Sequence, residues 1–178
     1  FLQDRNFNSN DINAGTVDSS VGTTHSATTN ATFTGSNASA AVSFVQVISF
    51  DDQDSFFKTE ISITNSGTVT LEDFRYMRTM NPNQDADTSG QFNTNNDVVS
   101  QPSGSVSTAI AQATGPNSGI SINLISTTDS LVRASNFGIN NTDVFASQAF
   151  SSPVDRAGNP VDEAIVLTIK FGDIAAGT

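Results

Sequence analysis

Short runs in which apolar and polar side chains alternate recur along this chain, with turn-forming residues between them. In the run 57–64, FKTEISIT, large or branched side chains occupy every second position, and charged or small polar side chains lie between them. A period of two places one set on the buried face and the other on the solvent face of an antiparallel strand. The runs with strand-like character are 41–50, 56–64, 68–71, 74–80, 105–113, 120–126, 131–136 and 164–171. Many short strands separated by Gly, Asn, Asp, Ser and Pro predict an all-β fold, an antiparallel β-sandwich.

The length of 178 residues suits one domain, so the sequence predicts a single β-sandwich over 1–178 with long polar loops. Residues 1–40 carry few large apolar side chains, which predicts a partly flexible lead-in with room for an edge strand. The run 106–113 contains alanines and is also compatible with a short helix. The chain has no cysteine, which excludes a disulfide framework and a cysteine-bound zinc site.

The charged residues are strongly unbalanced: 15 Asp and 3 Glu face 2 Lys and 5 Arg, for a formal net charge of −11. Aspartate prefers turns and caps to helix interiors, so most of the acids are expected in loops. Such loops either repel one another or hold a cation, and calcium would offset the repulsion. The same negative charge predicts no nucleic-acid partner. No run of roughly 18 apolar residues occurs, so no membrane insertion is expected.

The longest polar segment, 81–97, reads NPNQDADTSGQFNTNND. Oxygen-bearing side chains occupy every second position of its first half, and alternate side chains of a looped or extended segment can point the same way. Calcium takes about six to eight oxygen ligands, which carboxylate and amide groups supply. The predicted calcium ligands in this segment are Asn81, Asn83, Asp85, Asp87 and Asp97. Asn, Asp and Gly are also the usual residues of surface turns, and that alternative stays open.

A second acidic group, Asp51, Asp52 and Asp54, connects two of the predicted strands. Its carboxylates repel one another unless a cation bridges them or water solvates them, so these three residues are further predicted calcium ligands. The segment 81–97 is also the predicted ligand-binding loop. The predicted ligand-contacting residues are Arg78, Gln84, Asp85, Asn93, Asn95, Asn96 and Asp97.

Enzyme chemistry has little support in the sequence. His25 is the only histidine, and it lies in a Ser/Thr stretch of a chain without cysteine or a Gly-x-Ser-x-Gly motif. The many aspartates contain no pair that is singled out for glycoside hydrolysis, and no P-loop or dinucleotide fingerprint occurs. We therefore expect a binding protein that is not an enzyme, with His25 as a solvated loop residue.

The segment 63–98, ITNSGTVTLEDFRYMRTMNPNQDADTSGQFNTNNDV, resembles a segment of the ligand-binding modules of very large RTX-type bacterial adhesins. In those modules a strand and a short turn lead to a Tyr-x-Arg strand, a loop of the Asp/Asn-Pro-Asp/Asn-Gln-Asp type and an Asn-rich return. The segment 164–178, AIVLTIKFGDIAAGT, is similar to the strand and Gly-x-Ile/Leu-Ala-x-Gly turn that recur in these and related surface domains.

This resemblance implies a calcium-stabilised β-sandwich that lies extracellularly, on the bacterial cell surface, and binds a peptide or glycan on other cells. The expected ligand is a peptide ahead of a sugar, and calcium is the expected cofactor. The chain begins with Phe1 rather than Met, so we expect a monomeric module within a larger chain. Two alternatives stay open: a structural extender domain stiffened by calcium, and a carbohydrate-binding module.

Overall fold

The computed structural model describes residues 2–3, 12–34, 39–103, 107–127 and 131–178. These residues form an almost wholly β structure with antiparallel sheets, which confirms the predicted fold class. The strands are β1 (Leu2–Gln3), β2 (Ile12–Asp18), β3 (Thr24–Thr34), β4 (Ala41–Asp51), β5 (Lys58–Asn65), β6 (Leu71–Met80), β7 (Thr94–Ser100), β8 (Ala109–Thr114), β9 (Ser121–Ser126), β10 (Leu131–Phe137), β11 (Pro160–Val161) and β12 (Ala164–Ile174). The described residues also form one short helix, α1 (Ala86–Ser89), and a 3-10 helix (Ser147–Ala149). None of the helices in the described ranges is long and apolar enough to cross a membrane.

The described strands form three four-stranded sheets, with the orders β1-β6-β12-β10, β11-β7-β8-β9 and β2-β3-β4-β5. The strand predicted at 68–71 is wrong, because the backbone turns there and β6 begins only at Leu71. The amides of Gly67 and Thr68 donate instead to the carbonyls of Ala41, at 3.1 Å, and Ser39, at 2.7 Å, at the start of β4. The run 106–113 is a strand from Ala109 onward, and residues 105 and 106 lie outside the described ranges.

The chain groups into two compact units, where the sequence led us to expect one domain. Unit 1 contains residues 1–2 and 74–171, and unit 2 contains residues 3–73 and 172–178. The second unit therefore uses two stretches of sequence that are far apart along the chain.

Unit 1 is a β-sandwich. Its sheets contribute β10 and β12 on one side and β7, β8 and β9 on the other. Side chains from both sheets meet in one buried core: Ala109, Ala111, Ala113, Leu124, Val132, Ala134, Ile165 and Leu167. The alanines of β8 face bulkier side chains of β10 and β12, so the two layers pack closely. The predicted antiparallel sandwich is thus confirmed in this unit, whereas its stabilisation by calcium stays a prediction.

The strand β12 is covered on both faces. Its other face packs in a second core made of Met77, Phe137, Val144, Ala149, Ala164 and Val166. A strand that is buried on both faces needs an apolar side chain at nearly every position. This explains why the run 164–171, AIVLTIKF, is apolar almost throughout and does not alternate.

Unit 2 is built on a meander of β2, β3, β4 and β5, in which each strand pairs with the next. The alternation predicted for β5 is confirmed: every second side chain from Lys58 to Thr64 is exposed, and those between are at least partly buried. Val42 and Phe44 of β4 are buried on the apolar face of this sheet. Residues 12–18 and 24–34 of the predicted lead-in are strands of the same sheet, so that part of the lead-in is ordered.

Asn65, at the end of β5, is fully buried and ties together distant parts of unit 2. Its side-chain Nδ2 donates to the carbonyl oxygens of Val69, at 2.8 Å, and of Ile174, at 2.9 Å. Its Oδ1 accepts the Gly67 amide at 3.0 Å, and its own amide donates to the carbonyl of Thr178 at 2.8 Å. The side chain of this residue therefore holds the turn after β5 and the end of β12 in place, and its main chain holds the segment after β12.

Candidate ligand-binding site

The polar segment predicted as one loop is a turn, a helix and a strand. The backbone turns at residues 84–85, forms α1, and reverses at Gly90, whose φ of 68° lies in the left-handed region that glycine adopts easily. The strand β7 then begins at Thr94. Side-chain alternation in an extended segment therefore applies to Asn81 and Asn83 but not to the residues that follow.

Asp85 is fully buried just before α1, and its carboxylate binds the turn between β8 and β9. Its Oδ2 accepts the backbone amide of Asn117 at 2.8 Å, and its Oδ1 accepts that of Ser118 at 3.2 Å. Backbone amides that converge on a carboxylate form a small anion site. Asp85 is therefore the ligand of this turn, and it fixes the polar segment to the sheet.

The pKa of Asp85 lies below its ordinary value. A hydrogen bond from the Ser118 side chain is the main cause, and the Asn117 amide lowers the pKa further, against the opposing effect of burial. Each of these donors stabilises the ionised carboxylate more than the neutral acid. The charge of this buried aspartate is therefore balanced by donors of the protein itself.

Further contacts join the same two segments. Gln84 donates from Nε2 to the carbonyl of Ala113 at 2.8 Å, and Asn117 donates from Nδ2 to the Ser89 hydroxyl at 3.0 Å. A β-carbon added at Gly115 would lie 2.8 Å from Oδ1 of Asp85, so this glycine leaves room for the carboxylate. The predicted ligand-contacting residues Gln84 and Asp85 thus act as anchors of the segment.

The other predicted calcium ligands of this segment are spread over several elements. Asn81 is exposed, and Asp87 is exposed on α1. The side-chain amide of Asn83 lies against the carbonyl oxygens of Pro82 and Phe92, and it can donate to both from Nδ2 when the amide is turned by 180°. Within the described ranges, no three Asp, Glu or His side chains are grouped so as to hold a metal ion. Calcium binding by this segment stays a prediction.

The predicted calcium ligands Asp51, Asp52 and Asp54 lie at the exposed end of the meander in unit 2, where Asp51 is the last residue of β4. Asp51 accepts a hydrogen bond from the Thr24 hydroxyl, and Asp54 accepts the Asp51 amide at 3.1 Å. Asp52 lies 2.6 Å, Oδ1 to Nε2, from His25. His25 is therefore a residue of β3 with a carboxylate partner, and its expected place in a solvated loop is wrong.

The strand β7 contains three of the predicted ligand-contacting residues, Asn95, Asn96 and Asp97, and its pleat sends them to opposite faces. Asn96 is fully buried, where it accepts the Thr94 hydroxyl at 2.8 Å and donates to the Glu163 carbonyl at 2.9 Å. Its side chain is thus used inside the sandwich and does not line the outer face. Asn95 and Asp97 are only partly buried and point outward, whereas Asn93 precedes the strand and Arg78 lies in β6.

The outer face of β7, β8 and β9 carries a row of polar side chains that the sequence did not reveal. Asp97, Gln112 and Asn123 are directly opposite one another across three strands. Gln112 donates from Nε2 to Oδ1 of Asn123 at 2.9 Å. The row is detectable only when the register is known, because its members are separated by more than ten residues in sequence.

Two further rows flank it. On one side Asn95, Thr114 and Ser121 are opposite one another, with the Thr114 and Ser121 hydroxyls 2.7 Å apart. On the other side lie the apolar groups of Val99, Ile110 and Ile125, of which Val99 and Ile125 are more than half exposed. The outer face thus presents hydrogen-bonding groups beside apolar surface, the combination that ligand sites use.

The strand β9 is the last strand of this sheet in the described chain. The Gly115 amide donates to the Ile120 carbonyl at 2.9 Å, and bonds in an antiparallel pair recur at every second residue. The main-chain N–H and C=O groups of Ser121, Asn123 and Ile125 therefore point to the open side. Charged residues and prolines usually protect an edge strand from pairing with another chain. The sequence of β9, SINLIS, contains neither.

No family model, no curated protein and no solved structure matches this chain.

Proposed function

We propose that this chain is an extracellular ligand-binding module of a bacterial surface adhesin that binds a peptide on a target cell. The binding surface in this proposal is the open edge of β9 together with the outer face of β7 and β8. The resemblance of the segment 63–98 to adhesin modules supports the biological setting. The open, uncharged edge of β9 is the observation that supports the peptide-binding role.

An extended peptide can add to such an edge as a further strand. Its main chain pairs with the outward N–H and C=O groups of β9, and its alternate side chains contact the outer face. Asn123 would provide a polar contact and Ile125 an apolar one, because both lie on β9, next to the added strand, whereas Asp97 lies two strands further away. A glycan has no repeating N–H and C=O groups to pair with this edge, so a peptide is the better fit. The polar row across the sheet favours a glycan as the second candidate.

The edge can be tested with Asn123→Pro. Its N–H points to the open side, so proline removes a donor to the ligand and keeps the pairing with β8. We expect peptide binding to weaken by about tenfold or more, because proline also prevents a new strand from pairing there. Screening the whole chain on peptide and glycan arrays, followed by titration calorimetry with the best peptide, measures the effect. Asp97→Asn tests the polar row, and Asp162→Asn, which changes an exposed carboxylate of the same unit, is the matched control.

Peptide binding that is unchanged in folded Asn123→Pro would contradict edge recognition. Binding to glycans alone would replace the peptide with the second candidate. Blank arrays with a protein that is folded by circular dichroism would favour the structural extender.

Calcium is the cofactor in this proposal, and its expected effect is on stability. A cation that binds only the native state stabilises it by about 2.7 kcal/mol at a hundredfold excess over its Kd. For a chain of this length we expect Tm to fall by roughly 5–10 °C when EDTA replaces calcium. Differential scanning calorimetry in calcium, magnesium and EDTA measures this shift. Asp87→Ala, which changes an exposed predicted ligand, should reduce the shift, and equal midpoints in calcium and EDTA would refute the calcium proposal.

A further inference from the structure

The apolar face of the meander in unit 2 ends in an exposed aromatic surface. His25 of β3 is directly opposite Phe50 of β4. Phe57 immediately precedes β5 and continues the alternation of that strand. These three side chains therefore share the face that further along buries Val42 and Phe44. We call His25, Phe50, Phe57 and the adjacent Phe56 the aromatic tip.

The aromatic side chains of the tip are strongly exposed. The exposed fraction is 44 % for Phe50, 66 % for Phe56 and 49 % for Phe57. Three exposed phenylalanines within eight residues of sequence exceed the scattered single apolar groups that protein surfaces normally carry, and such clusters mark interaction sites.

Contacts between two chain reversals hold the tip in shape. The His25 and Phe50 rings stack with their centroids 4.8 Å apart, and His25 also contacts the Asp52 carboxylate. The Asp52 amide donates to the Thr23 carbonyl at 3.0 Å, which joins the β4–β5 connection to the β2–β3 turn. The surface is therefore formed before any partner arrives, so little conformational entropy is lost on binding.

Carboxylates surround the aromatic tip. Asp52 and Asp54 lie in the same connection as Phe56, and Asp18 is opposite Ala27 on the face that carries His25. Asp51, the last residue of β4, points to the opposite face, where it accepts the Thr24 hydroxyl. Asp18 accepts the amide of Ser20 at 2.9 Å and its hydroxyl at 2.7 Å, and these bonds lower its pKa. The nearest lysine along the chain, Lys58, lies 2.8 Å from Glu60, Nζ to Oε1. The tip is therefore apolar at its centre and negative around it.

We propose that the aromatic tip and its surrounding aspartates bind a cationic polypeptide segment, one that presents arginine or lysine side chains. A guanidinium can stack on an exposed phenylalanine ring while it contacts a neighbouring carboxylate. A second copy of this chain is a poor occupant, because Asp18, Asp52 and Asp54 of the two copies would face one another. This site lies in unit 2 and is independent of the peptide-binding edge proposed for unit 1.

The test uses the whole chain and two fluorescein-labelled peptides, one of alternating Arg and Gly and one of alternating Glu and Gly. We expect fluorescence anisotropy to show binding of the Arg peptide alone. Phe56→Ser should weaken that binding by about tenfold, because the contact with a large apolar group is lost. Asp54→Asn should weaken it by about threefold at low salt and have little effect at high salt.

Matched controls lie in unit 1. Phe92→Ser changes a phenylalanine that is 53 % exposed, and Asp162→Asn changes an exposed aspartate. Both should bind the Arg peptide as the unchanged chain does. Equal losses in the controls and the tip variants would mean that the net charge of −11 alone attracts the peptide, and would overturn the proposal. Absence of Arg-peptide binding, or self-association that Phe56→Ser abolishes in sedimentation velocity, would overturn it as well.

Discussion

Replacing Asp85 with alanine is expected to lower Tm by roughly 5–10 °C. The substitution leaves the amides of Asn117 and Ser118 buried without their acceptor, and a buried donor that loses its partner is costly. It also releases the polar segment from the turn between β8 and β9. Thermal unfolding followed by circular dichroism measures the change. Asp87→Ala, two residues further on and exposed, should shift Tm by about a degree or less in calcium-free buffer.

The acid dependence of the same site gives a second readout. The pKa of Asp85 is lower in the folded chain than its ordinary value of 3.8, so the folded state favours the ionised carboxylate. The resulting stabilisation is complete above about pH 5 and is lost as the pH falls through the folded pKa. The stability difference between the unchanged chain and Asp85→Asn should therefore be largest near neutral pH and shrink below about pH 4. A difference that stays constant down to pH 2 would show that the charge of Asp85 is not what binds the turn.

Asn65→Ala is expected to destabilise unit 2 by about 3–5 kcal/mol. The substitution removes three hydrogen bonds and leaves the carbonyls of Val69 and Ile174 without the Asn65 donor. Urea unfolding measures the loss of stability. Native-state hydrogen exchange should show a faster rate at the Gly67 amide, which loses one of its two acceptors and keeps the Ala41 carbonyl.

Asn30→Ala is the matched control, because Asn30 is an exposed asparagine in β3 of the same unit. It should change stability by less than about 0.5 kcal/mol. Equal effects of the two substitutions would mean that the contacts of Asn65 contribute no more than an ordinary surface asparagine does.

The sequence predicted strands best where one or both faces are apolar. The alternation in β5 indicates a strand buried on one face, and the continuous apolar run of β12 indicates a strand buried on both. The sequence did not predict the strand β7, because its residues, TNNDVVS, include Asn and Asp, which usually favour turns. The inward groups of this strand include Thr94 and Asn96, which satisfy their polar atoms by bonding each other, and pairing of this kind leaves no signal in a hydropathy pattern.

The candidate site was only partly accessible to sequence reasoning. The polar character of 81–97 correctly marked a segment whose side chains make specific polar contacts. The partner of Asp85, however, is a turn more than 30 residues away in sequence. The row formed by Asp97, Gln112 and Asn123 depends on the register in which β7, β8 and β9 pair. The sequence of each strand taken alone does not specify that register. His25 had no visible partner in sequence because Asp52 lies 27 residues away.

The interleaving of the two units bears on the order in which this chain folds as a ribosome makes it. The residues of unit 1 between 74 and 171 form one continuous stretch, so their strands can pair as soon as that stretch has emerged. Unit 2 cannot be completed at that stage. Asn65 leaves the ribosome early, but Ile174, whose carbonyl accepts a hydrogen bond from the Asn65 side chain, follows 109 positions later. Closing so long a loop is slow, and the earlier strands of the meander are exposed to other chains in the meantime. Residues 172–178, which are translated after the continuous stretch of unit 1, thus complete the unit whose strands are translated before that stretch.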